Sequence, residues 1–97
     1  MIEWNKRGVI MYDNLNKEQL NERYIEIGYK ISYCRKHLNL TQEKLAEQMG
    51  ISREHLAALE APNIPKKPSL DFIFSLAELS GRKPSWFLEC DDLDQVD

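Results

Sequence analysis

Twenty residues, Thr41 to Glu60 (TQEKLAEQMGISREHLAALE), permit little besides two short helices meeting at a tight turn. Thr41 is placed to cap the first helix, and Leu45, Ala46 and Met49 fall on one of its faces. Gly50 predicts its end, because glycine enters the left-handed conformation that a helix terminus often requires. Ile51 fills the corner, Ser52 caps the second helix, and Leu56 and Leu59 recur at helical spacing as its buried face. Ala46 matters through its size: helices that cross steeply over a short turn come close, and a larger side chain would hold them apart. Arg53, Glu54 and His55 are left facing outward.

The flanking sequence predicts more helix. Asn16-Lys-Glu-Gln19 has the pattern of a capping box. Leu20, Tyr24, Ile27, Ile31, Cys34 and Leu38 then follow at alternating spacings of four and three, an ordinary core stripe in preference to a coiled-coil seam. Gly28 interrupts that run at about 1 kcal/mol relative to alanine, and marks either a break or a close packing contact. Leu20 and Tyr24 lie beyond the expected body and need cover from a dimer partner or from the N-terminal residues. Ala61 to Ser69 (APNIPKKPS) reads as a loop. Ser69 caps a fourth helix, Leu70 to Leu79, with Leu70, Ile73, Phe74, Leu76 and Ala77 on its inner side. Gly81 ends it, and Pro84 opens a short fifth helix to Glu89, where Trp86, Phe87 and Leu88 divide between the core and a subunit contact.

The organisation is thus residues 1–15 as an irregular N-terminal arm, 16–89 as one helical domain with the motif at 42–61, and 90–97 as an acidic tail. Within the arm, Gly8 to Tyr12 is open to three readings: a short strand, an arm laid on the body with dimer contacts, or disorder. Met11 is an alternative start. The fold class is all-α, five helices with an extended first helix and no strand required.

Composition narrows the function. The 97 residues make one domain. No apolar run approaches a membrane span and none resembles a signal peptide, so the expected compartment is the cytoplasm. Cys34 and Cys90 form no ligand pattern and read as reduced thiols, Cys34 half-buried. His37 and His55 pair with no nucleophile or carboxylate at a motif spacing, and no glycine-rich phosphate loop is present. An enzyme, a metal, a cofactor and a small-molecule substrate are therefore not expected. The net charge of −3 conceals an uneven distribution: Lys30 to Lys83 carries +3, while Glu89 to Asp97 carries −5.

The segments LTQEKLAEQMGIS, L-x-x-L-E and PSLDFIFSLAELSG resemble the helix-turn-helix of Cro and phage-repressor regulators, the xenobiotic-response-element-like class. The resemblance spans roughly Ile27 to Leu88. It implies a lambda-repressor-like domain that binds double-stranded DNA as a homodimer, with the second motif helix in the major groove. The candidate base readers are then Ser52, Arg53, Glu54 and His55, with Ala58 one turn on. Arg53 suits guanine, and Glu54 suits cytosine N4 or the orientation of Arg53. Ala57 and Ala58 depart from the polar or longer residues that relatives often carry, leaving contact with a thymine methyl or a close approach of the backbone. Gln42, Lys44, Asn63, Lys66 and Lys67 are candidates for phosphate. The resemblance also implies that Arg35 pairs with Glu60 to orient the reading helix. The plainer readings are a solvated face for Arg53 and Glu54 and a solvated loop for Lys66 and Lys67. The implied function is a sequence-specific transcriptional regulator, a repressor in preference. The alternative is a protein-interaction module, or an antitoxin-like partner protein, with weak DNA affinity.

Overall fold

The capping residues set the order of the chain. In a computed structural model, which describes residues 15–89 together with the backbone of 3–4 and 10–11, five helices follow two very short strands. Strands β1 (Glu3–Trp4) and β2 (Ile10–Met11) pair antiparallel, Glu3 opposite Met11 and Trp4 opposite Ile10. The helices are α1 (Lys17–His37), α2 (Gln42–Met49), α3 (Arg53–Glu60), α4 (Leu70–Ser80) and α5 (Pro84–Leu88). The domain is all-α with five helices, as expected, and the two-residue pair falls within the N-terminal arm, where a short strand is one of the three readings of Gly8 to Tyr12. The rest of the N-terminal arm, Cys90 and the acidic tail lie outside the described residues.

Four helices start on a side chain that accepts a backbone N–H of the first turn. Asn16 accepts from Gln19, whose own side chain accepts from the Asn16 N–H, completing the capping box. Thr41, Ser52 and Ser69 accept from Lys44, His55 and Phe72. Glycine closes two of them: Gly50 and Gly81 have φ of 72° and 74°, where a side chain would be strained. Arg35 and Lys36 occupy the last turn of α1, where positive charge complements the helix dipole.

The 21 residues of α1 run through Gly28 without a break. That glycine is a contact: a Cβ there would collide with the backbone carbonyl of Leu59 in α3. Ile31 and Cys34 of α1 meet Leu45 and Ala46 of α2, Leu56 and Leu59 of α3, Phe72, Ile73, Leu76 and Ala77 of α4, and Phe87 of α5 in one buried core. Two expectations are corrected here. Leu70 and Phe74 are mostly exposed, and Phe72 takes the inward place, because α4 is covered on one side only. Cys34 is fully buried rather than half-buried. Burial pushes its thiol above the usual range, opposed by hydrogen bonding from Ser80 and by Arg82.

Candidate nucleic-acid interface

The corner between α2 and α3 is built by backbone as much as by side chains. Gly50 turns the chain, and the N–H of Ile51 returns to the carbonyl of Ala46 at 3.0 Å. Ala46 is buried at the crossing, and Ile51 packs against the core. Leu56 and Leu59 hold α3 inward, so the first turn of α3 is presented outward: Ser52, Arg53 and Glu54 are exposed. His55, Ala57 and Ala58 are half-buried, so His55 is less available than a fully outward reading implies.

The other end of α3 is locked. Arg35 donates from Nε to Glu60 Oε2 at 2.8 Å and from Nη2 to Oε1 at 3.0 Å. Its remaining nitrogen, Nη1, donates to the Leu40 carbonyl at 2.8 Å. Gln42 Nε2 donates to Glu60 Oε1 at 3.0 Å. One carboxylate therefore ties the end of α1, the start of α2 and the end of α3 together. The fork-to-fork geometry of Arg35 on Glu60 is the strong, directional form of this contact. Glu60 is only 8% exposed, so its charge depends on these donors.

The candidate phosphate-binding residues separate into two groups. Lys44, Asn63, Lys66 and Lys67 are exposed, the last three on the loop that leaves α3. Gln42 is half-buried and already serves Glu60, leaving the second N–H of its amide for an anion. Lys67 Nζ lies 5.6 Å from the ring centroid of Tyr24, within cation–π range. That contact supplies the partner Tyr24 lacked on sequence grounds, whereas Leu20 stays half-exposed. Neither the Gln42–Glu60 bond nor the Lys67–Tyr24 contact carries a signature in sequence, since both join segments through side chains that are usually solvated.

Among the described residues no group of three or more His, Cys, Asp or Glu could hold a metal ion. Within the same residues no helix is long and apolar enough to cross a membrane.

A family model described as helix-turn-helix matches residues 31–87. An uncharacterised HTH-type transcriptional regulator of Methanocaldococcus jannaschii is 41% identical over 54 residues, covering 56% of this chain and 79% of that protein.

Proposed function

This chain belongs to the helix-turn-helix family of Cro- and phage-repressor-type regulators, and on that footing we propose that it is a sequence-specific repressor acting as a homodimer on a two-fold operator. The first turn of α3 enters the major groove, where each base pair offers a distinct donor and acceptor pattern. Arg53 makes the bidentate contact to guanine, and Glu54 accepts from cytosine N4 or steers Arg53. Ser52, His55 and Ala58 complete the reading face, Ala58 against a thymine methyl. Lys44, Asn63, Lys66, Lys67 and the free N–H of Gln42 hold phosphates on either side, and the positive end of α2 adds to them.

The observation that carries this reading is the contrast within α3. Its exposed first turn bears Arg53 and Glu54, while its last residue is clamped by Arg35 and Gln42. A helix clamped in this way can hold a bidentate side chain in register with base edges. One such domain touches too few phosphates for tight operator binding, so two-fold pairing on half-sites about 34 Å apart is required.

Selection of bound duplexes from a random library tests the proposal. The wild-type chain is expected to enrich one two-fold motif. Arg53→Ala relaxes the preference at one position by about 1–3 kcal/mol, and Lys66→Ala with Lys67→Ala weakens all sequences alike and flattens the salt dependence. Failure to enrich any motif, with no retention of random duplex at low salt, would favour a protein-interaction module instead.

A further inference from the structure

Helix α1 carries a second stripe, on the side away from its core residues. Glu22, Glu26, Tyr29, Tyr33 and Lys36 recur at spacings of four and three. Tyr29 and Tyr33 form its centre, 55% and 47% exposed. A groove of about 370 Å³ runs along one side of this ridge, against Lys30, Arg82 and Trp86. A second of about 390 Å³ runs along the other side, against Ser32, Glu60 and Pro62. None of the residues assigned to base or phosphate contact above lies on the ridge.

Within the ridge, Tyr33 is packed among neighbouring side chains. The ring of Tyr33 lies 4.1 Å from that of His37 and 6.0 Å from that of Trp86, and the Arg82 guanidinium is 5.3 Å from its centroid. Arg82 in turn stacks on Trp86 at 4.0 Å. An exposed tyrosine that is already ordered loses little freedom on being covered, which is the property of an interface anchor.

We propose that this face pairs two copies of the chain, with α1 antiparallel to α1 and the two-fold axis between Tyr29 and Tyr33. The charge order of the stripe supports that occupant. It is acidic at one end and basic at the other, so reversing one copy sets opposite charges together. In the register that places Tyr29 against Tyr33 of the partner subunit, Glu26 meets Lys36 of the partner subunit, and two-fold symmetry repeats both contacts. A parallel arrangement would set Glu26 against its own copy. The tyrosine ridge of each subunit enters a groove of the other. Glu26 already has a contact within its own chain, so pairing adds to that contact. The inference rests on the homodimer reading above and assigns its interface.

Charge reversal on the full chain, read by sedimentation without DNA, tests it. The wild-type chain is expected to be dimeric at tens of micromolar, and Glu26→Lys and Lys36→Glu each to weaken the dimer about tenfold, because each sets like charges together twice. Mixing these two variants restores pairing, seen as a heterodimer by native mass spectrometry, and the double variant E26K/K36E recovers the homodimer. Should either reversal reduce helicity, Tyr29→Ala removes a half-exposed ring and is expected to weaken the dimer similarly. A wild-type chain that stays monomeric, a dimer insensitive to all these changes, or a mixture that forms no heterodimer would overturn the interface. An insensitive dimer or a missing heterodimer leaves the homodimer and duplex selection standing, whereas a monomeric wild type fails the homodimer reading as well. Loss of selection with the charge pattern intact would instead fail the DNA reading and spare the interface.

Discussion

Among the described residues two charged side chains are nearly removed from water, Glu60 at 8% exposure and Lys30 at 5%, and their described contacts differ. Glu60 receives its donors from the side chains of Arg35 and Gln42. Lys30 reaches backbone, donating to the carbonyl of Trp86 at 2.8 Å and to that of Glu89 at 2.6 Å beside a further contact, and it lies 5.2 Å from the Trp86 ring centroid. The first arrangement joins α1, α2 and α3 beneath the proposed reading face. The second caps the end of α5, whose last carbonyls have no partner within so short a helix. Both charges join elements: Glu60 ties the end of α3 to α1 and α2, and Lys30, itself on α1, ties down the end of α5.

Substitutions should separate these two roles. The largest effect is expected for Glu60→Ala, which strands the Arg35 guanidinium. Urea denaturation should show a loss of about 3–5 kcal/mol, together with weaker binding to the selected duplex. Lys30→Met keeps the aliphatic stem and leaves the carbonyls of Trp86 and Glu89 without their ammonium. It should cost about 1–3 kcal/mol and alter Trp86 fluorescence, with duplex preference unchanged. If Lys30→Met disturbed sequence preference as much as Glu60→Ala, the division of labour would be wrong. Gly28→Ala gains up to about 1 kcal/mol of helix propensity but drives a methyl into the Leu59 carbonyl. A net loss of about 1–2 kcal/mol is expected, shown by a lower urea midpoint. The smallest effect concerns Cys34. Its raised thiol pKa means the folded state keeps the proton more tightly than the unfolded state. That contribution is present below the ordinary thiol value and is lost as pH rises through the raised folded value. With Cys90→Ser in place, thiol labelling of Cys34 should lag the unfolded chain at every pH up to that range.

The legible parts of the molecule are those in which one residue type has one local use. Asn16, Thr41, Ser52 and Ser69 are short acceptors ahead of apolar periods, and Gly50 and Gly81 are stops, so helix order follows from local chemistry. The inward face of α4 was not legible. LDFIFSLAEL is apolar at nearly every angle, and only its neighbours decide that Phe72 turns in while Leu70 and Phe74 turn out. Gly28 announced an exception but not its kind, since a break and a close approach need the same missing Cβ. At the candidate site, the exposure of Arg53 and Glu54 followed from the positions of Leu56 and Leu59. The third donor to Glu60 did not, because nothing in the letter Gln at position 42 distinguishes a side chain turned to a carboxylate from one turned to solvent. Lys30 is harder still: two of its contacts are with carbonyls, which every residue carries.

The central claim is where the chain meets a duplex. Backbone amide shifts recorded while the selected operator is titrated into the full chain should move most at Ser52 to His55, Gln42, Lys44 and the Asn63 to Lys67 loop. Lys30 and Trp86 should stay nearly fixed. Shifts concentrated around Lys30 and α5, with the first turn of α3 unmoved, would contradict it.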